Sequence, residues 1–308
     1  MRDRLVLGPI LIAALIGALW LDEYLTRVPM PWGERLGQAH FPPGSVQFVV
    51  MTLVCVLAAR ELAAILIANG VVASKRIMTF AALLGLVVSI VVPIGVPGPV
   101  AVAAVGSAAV CVLVVAQAFY SRHKSVEGVV AATGGALLSF VYLGLTFGFL
   151  LAIRRDHSAW VLLWVLLITK ACDIGAYFTG RAIGRHKLIP WLSPGKTWEG
   201  LGGGLVLSAV VAWAGSLVLH ATTPMRGPGP GWCIVLGVGC ALVGQAGDLL
   251  ESMYKRDAGI KDSGRGLPGF GGILDVIDSP VLVAPLAYWM LHALVRVGAL
   301  SDGVAGGA

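Results

Sequence analysis

Six carboxylates and four basic side chains crowd into residues 244–279, GQAGDLLESMYKRDAGIKDSGRGLPGFGGILDVIDS, in a chain that is otherwise sparsely charged. Asp275 and Asp278 are three residues apart, as are Asp248 and Glu251, so each pair shares one face of a helix. Two such pairs meeting at one membrane face make an oxygen-rich site for Mg²⁺, which keeps several waters and takes its other ligands from substrate phosphates. The plainer alternative is that these acids pair with Lys255, Arg256, Lys261 and Arg265. Those four cations also suit a phosphate-rich ligand. The turn Leu267-Pro268-Gly269-Phe270-Gly271-Gly272 would let backbone N–H groups approach an anion ahead of the helix that begins near Asp275.

Two further segments carry candidate chemistry. Ser193-Pro194-Gly195-Lys196-Thr197-Trp198-Glu199-Gly200 ends a polar loop, with Lys196 as a phosphate contact and Thr197 as a helix N-cap. It is not a P-loop, because a P-loop needs glycine where Pro190 stands. Lys170 and Asp173, followed by Tyr177 and Gly180, form an i, i+3 charge pair inside an apolar stretch. Such a pair is either structural or a ligand contact. Arg60 and Glu61, also inside an apolar stretch, fit structural pairing or a lipid headgroup better than chemistry.

These residues must be positioned by a membrane scaffold. Only 12% of the 308 residues are charged and 57% are hydrophobic, with a mean hydropathy of +0.88. A soluble domain carries about twice that charged fraction. A span needs roughly 20 mostly apolar residues, and nine stretches qualify: about 5–24, 46–69, 77–95, 98–119, 126–152, 159–181, 198–220, 231–252 and 274–297. Two connections are Pro/Gly-rich, around Pro93 and Pro97 and around Pro224 and Pro228. Arg2 and Arg4 precede the first stretch like a secretory signal, but it ends in Trp-Leu-Asp-Glu and reads as a retained span.

With the N-terminus in the cytoplasm, 14 of the 22 Lys and Arg fall in inner segments and six in outer ones, leaving Arg60 and Lys170 within spans. That asymmetry favours this orientation. It places the charged loops 182–197 and 253–273 on the cytoplasmic side, where nucleotides are. The expected fold is therefore an all-α polytopic membrane protein of about nine transmembrane helices. It would have an N-terminal transmembrane region over 1–155, a C-terminal catalytic region over 156–308 and no separate soluble domain. The five cysteines lie in apolar segments and read as small buried hydrophobes. The spacing of Gly200 and Gly204 reads as close helix packing.

The charged segments resemble a known family. Ser252-x-x-Lys255-Arg256, four residues, Lys261-Asp262, then Pro268-Gly269-Phe270-Gly271-Gly272 and Asp275-Val276-Ile277-Asp278 is similar to the signature of phosphatidate cytidylyltransferases, also called CDP-diacylglycerol synthases: S-x-x-K-R-x4-K-D, P-G-H-G-G and D-R-x-D. Gly247-Asp248 through Ser252 fits as well, Ser193–Gly200 looks like the family's S-P-K-K-T-x-E-G, and Asp173, Ala176, Tyr177 and Gly180 match a third segment. The likeness is strong over about 170–280. Two positions depart from it: Phe270 stands for the family's His and Val276 for its Arg.

The resemblance implies Mg²⁺-dependent transfer of CMP from CTP to phosphatidate, giving CDP-diacylglycerol and pyrophosphate. It implies Asp248, Asp275 and Asp278 as metal ligands, with Lys255, Lys261 and Asp262 as further catalytic groups. Ser193, Lys196, Thr197, Ser252, Arg256 and Asp173 would bind substrate. CTP, phosphatidate and membrane lipids are the expected partners, with no nucleic acid. A second, monovalent cation and a homodimer are both compatible with this reading. The alternatives are a CTP-dependent transferase or kinase acting on another lipid or a polyprenol and, further off, a membrane transporter.

Overall fold

The computed structural model of the chain describes residues 2–31, 39–91, 98–122, 126–222, 230–264 and 266–305. Pro93, Pro97, Pro224, Pro228 and Arg265 lie outside these. The described α-helices are α1 (Arg2–Leu25), α2 (Ser45–Ala68), α3 (Lys75–Val91), α4 (Gly98–Ser121), α5 (Val129–Leu138), α6 (Thr146–Asp156), α7 (Ala159–Ile183), α8 (Trp198–Thr222), α9 (Pro230–Asp257) and α10 (Leu274–Ala305). A π-helical segment, Ser139–Leu145, joins α5 to α6. Two short strands, β1 (Lys187–Ile189) and β2 (Ser193–Thr197), pair antiparallel between α7 and α8.

The chain is an all-α polytopic membrane protein. Eight described helical segments are long and apolar enough to cross a membrane, with α5, the π segment and α6 counting as one. They match eight of the nine stretches expected above. The remaining stretch, 77–95, contains α3, which has 17 described residues. Large side chains such as Val102 and Val130 are 75% and 83% exposed. In water that would be an aggregation hazard, whereas in a bilayer it is the lipid-facing surface. The hairpin was not anticipated. It is short and sits in the connection between two spans, where it adds little to the fold class.

The described chain divides into two compact units, 1–155 with 253–277 and 156–252 with 278–308. In the first, Ile77, Ala81, Ala108, Val112, Ala116, Ala136 and Phe140 form one buried cluster. α3 meets the π segment backbone to backbone. A Cβ on Gly85 would stand 2.6 Å from the Phe140 carbonyl oxygen, and one on Gly144 would stand 2.5 Å from that of Ala82. Small residues permit this approach, which drives helix association in lipid. The Ser139 hydroxyl donates to the Met78 carbonyl at 2.9 Å across the same seam.

A buried ion pair closes another part of this unit. Arg154 Nε lies 2.5 Å from Asp22 Oδ2, the two side chains being 4% and 1% exposed. Asp22 also accepts from Gly44 N at 3.0 Å and Val46 N at 2.8 Å, fixing the entry to α2. Removing one partner of a buried pair strands the other charge and typically costs about 3–5 kcal/mol. Arg154→Met is accordingly expected to lower the thermal melting point sharply in detergent, and a melting curve run beside the wild type checks it.

In the second unit, α7 and α8 pack along a glycine seam. A Cβ on Gly175 would come 2.7 Å from Gly203 O, one on Gly200 2.9 Å from Ala176 O, and one on Gly204 2.8 Å from Cys172 O. The packing role expected of Gly200 and Gly204 is what the structure has. Trp164 Nε1 donates to Val211 O at 3.3 Å along the same interface.

Candidate active site

The hairpin hands its residues to α8. The Thr197 hydroxyl accepts from Gly200 N at 3.1 Å, the N-cap bond expected from sequence. Glu199, in the first turn, accepts from Arg185 N at 3.1 Å and from His186 N at 3.2 Å, and its carboxylate lies 2.6 Å from His186 Nδ1. The strand that carries Lys196 is thus tied to the helix that follows it. Ser193 pairs with Ile189 beside the hairpin turn.

Three separate sequence segments line one cavity of about 340 Å³ in this unit. Asp173 and Tyr177 come from α7, Lys196 and Thr197 from β2, and Gln245 and Asp248 from α9. Lys196 Nζ reaches Asp248 Oδ2 at 2.7 Å. Lys170 Nζ reaches Asp173 Oδ2 at 3.2 Å. The Ser252 hydroxyl stands 3.5 Å from Asp248 Oδ1, at the outer limit of a hydrogen bond.

Asp248 belongs as well to a group of acids. One carboxylate oxygen from each of Asp248, Glu251 and Asp278 lies within 4.8 Å of the others, and Glu251 and Asp278 are buried. The i, i+3 spacing puts Asp248 and Glu251 on one face of α9. Gly247 brings that face onto α10: a Cβ there would stand 2.6 Å from Asp278 O and 3.2 Å from Ser279 Cα, so only glycine allows the approach. Asp248 and Asp278 meet as expected from sequence, and Glu251, given less weight there, is the third member.

Asp275 is held differently, within the first unit. Its Oδ2 accepts from Ser263 N at 2.9 Å, Ser263 Oγ at 2.8 Å and Gly272 N at 2.7 Å, while Oδ1 takes Lys255 Nζ at 2.6 Å. These oxygens are engaged by the loop and by a lysine, the pairing weighed above as the plainer alternative, and the group of Asp248, Glu251 and Asp278 does not include Asp275. The N–H groups of the glycine turn are engaged as well. Gly272 N goes to Asp275, and Ile273 N and Leu274 N go to Glu61 at 3.0 and 2.8 Å. Phe270 N and Gly271 N both bond Leu267 O. These N–H groups are taken by protein acceptors, among them the carboxylates of Asp275 and Glu61.

The remaining motif residues also lie in the first unit. Lys261 and Asp262 line an open depression of about 320 Å³ with Leu267–Gly271. Arg256 Nη1 lies 3.4 Å from Ile260 O. Phe270, in place of the family's histidine, turns its ring toward α1, where a Cβ on Gly8 would stand 3.5 Å from Phe270 Cζ. Arg60 is exposed.

The acid group fits a hard divalent cation. Its donors are all carboxylate oxygens, the set Mg²⁺ prefers. Octahedral ligands about 2.1 Å from one ion sit about 3.0 Å apart when adjacent and about 4.2 Å apart when opposite, so oxygens within 4.8 Å of one another would draw together to share an ion.

Comparison with known proteins identifies the family. The model of the Cytidylyltransferase family matches residues 40–294. A Haemophilus influenzae protein is 43% identical over 131 residues, 42% of this chain and 44% of that protein. One from Bacillus subtilis is 36% identical over 160 residues, 51% and 58%. One from Staphylococcus aureus is 43% identical over 152 residues, 49% and 55%. All three bear the name phosphatidate cytidylyltransferase. The chain spans about half the length of the curated relatives it matches.

Proposed function

The chain belongs to the cytidylyltransferase family, and from that premise we propose that it transfers CMP from CTP to phosphatidate, releasing CDP-diacylglycerol and pyrophosphate. One observation carries the proposal. Lys196, Asp173 and Asp248, from three distant segments, line a single cavity, and Asp248 also belongs to the three-acid group. A cation-holding acid cluster that shares a residue with a lysine-bearing cavity is what a reaction between two polyanions requires.

The nucleophile is a phosphate oxygen of the lipid, already anionic, so no strong base is needed. It attacks the α-phosphorus of CTP. The bond from that phosphorus to the bridging oxygen breaks, and the electron pair leaves with pyrophosphate. Positioning and electrostatics supply most of the rate in such a transfer. Asp248, Glu251 and Asp278 would hold Mg²⁺, which when bound neutralises phosphate oxygens and the charge on the leaving group.

Lys196 does two jobs in this scheme. It offsets phosphate charge in the cavity, and its bond to Asp248 keeps that carboxylate aimed. Thr197 works through the helix it caps. Lys255, Arg256 and Lys261 are assigned to substrate phosphates, and Asp262 to orienting a lysine. The distribution of Lys and Arg assigns the site to the cytoplasmic face, where CTP is available.

Purified protein given radiolabelled CTP, phosphatidate and Mg²⁺ is expected to form a chloroform-soluble nucleotide, and EDTA is expected to stop it. Label that enters the organic phase only with a polyprenol or another lipid acceptor would reassign the substrate. No organic-phase label with any acceptor would end the proposal.

A further inference from the structure

Glu61 is a carboxylate in a membrane-spanning helix, α2, yet its partners are more than two hundred residues away in sequence. Its Oε1 accepts from Ile273 N at 3.0 Å and its Oε2 from Leu274 N at 2.8 Å. Ser263 Oγ lies 3.1 Å from the same Oε2. Ile273 and Leu274 open α10, whose first N–H groups have no partner inside the helix. A negative charge at that end also meets the favourable pole of the helix dipole.

The turn is shaped around this carboxylate. A Cβ on Gly272 would stand 2.4 Å from Glu61 Oε2 and 2.1 Å from Ser263 Oγ, and one on Gly264 would stand 2.7 Å from Glu61 Oε1. A Cβ on Gly271, whose φ is +94°, would stand 2.5 Å from Asp275 Oδ2. The glycines therefore make room for two acids. Ser263 and Gly272, gripped or flanked by Glu61, are the same residues that donate to Asp275, and Asp275 in turn holds Lys255 Nζ at 2.6 Å.

We propose that Glu61 is a positioning residue of the transfer reaction, an inference that rests on the function proposed above. It acts through the turn 263–274. By capping the start of α10 and fixing Ser263, it sets the carboxylate of Asp275 and hence the ammonium of Lys255. No motif of the 244–279 segment contains Glu61. Its only mark in the sequence is that an acid inside a span is expensive and needs a reason.

The test compares Glu61→Gln, Lys255→Met and the double variant with the wild type in detergent or nanodiscs. Glu61→Gln keeps the size but replaces one acceptor oxygen with a donor that faces backbone N–H groups. The amides of 272–274 are expected to exchange with deuterium roughly tenfold faster or more, as befits loss of a bond to a charged acceptor. Turnover is expected to fall by a similar factor, mainly in kcat, with Glu61→Asp restoring part of it. In the Lys255→Met background, Glu61→Gln should add little, because both changes break one chain of contacts.

Unchanged exchange at 272–274 would overturn the clamp. Faster exchange with unchanged turnover, or losses that multiply fully in the double variant, would overturn the positioning role. Wild-type protein that does not consume CTP with phosphatidate would overturn the proposed function and the positioning role together. The exchange result needs no turnover and would still decide whether the clamp exists.

Discussion

Asp278→Asn is expected to abolish CMP transfer, by at least roughly 10²–10³-fold, while the protein stays folded. Asp278 is 6% exposed and contributes one oxygen to the group it forms with Asp248 and Glu251. Asparagine keeps the shape but leaves a cation one charge short. Removing a buried negative charge from among like charges also relieves repulsion. The melting temperature in EDTA should therefore hold or rise. In the wild type, Mg²⁺ should raise the melting temperature by binding only the folded state, and in the variant that increment should vanish. Initial rates and melting with and without Mg²⁺ separate the outcomes. Near-normal turnover, or an undiminished Mg²⁺ increment, would discard the metal assignment.

Gly247→Ala is expected to lower turnover about 10²-fold, although it changes no charged or polar side chain. The added Cβ would stand 2.6 Å from Asp278 O and 3.2 Å from Ser279 Cα, and backbone atoms cannot swing aside as a side-chain tip can. α9 and α10 must part where they bring Asp248 and Glu251 to Asp278. A displacement of about 1 Å in a reacting constellation costs about that factor, and overpacking adds roughly 1–3 kcal/mol of destabilisation. Gly244 supplies the contrast. A Cβ there would meet Thr169 Cγ2 at 3.3 Å and Val283 Cγ2 at 3.4 Å, both ends of side chains. Gly244→Ala should keep most of its turnover, and the reverse order of the two variants would refute this account of the helix contact.

Much of the candidate site was legible without coordinates because its residues are costly where they stand. Acids in apolar stretches need a partner, so Asp248, Asp278 and Glu61 all announce themselves. A Lys-Thr pair ahead of a helix likewise points to a cap and a phosphate contact, and Thr197 does cap α8. The i, i+3 spacings of Asp248 with Glu251 and of Asp275 with Asp278 were sound as statements about helix faces. They could not say that Asp248 and Glu251 would both join the acid group while Asp278 would join it without Asp275, because spacing along a helix does not tell which neighbouring helix a face meets.

The sequence by itself determined the class of the chain. Apolar stretches of span length leave a bilayer as their only stable setting, since every backbone polar group can be satisfied within a helix. It determined as well that the charge concentrates near the ends of the last spans. Tertiary structure decided which groups meet. Contact at Gly247 makes Glu251 a companion of Asp278, and Lys255, Ser263 and Gly272 claim Asp275 for the loop. Glu61 takes the N–H groups of Ile273 and Leu274, and Asp275 takes that of Gly272, at the end of the turn that had suggested a phosphate contact. Those outcomes depend on contacts between residues far apart in the chain, where local pattern carries no information about distance.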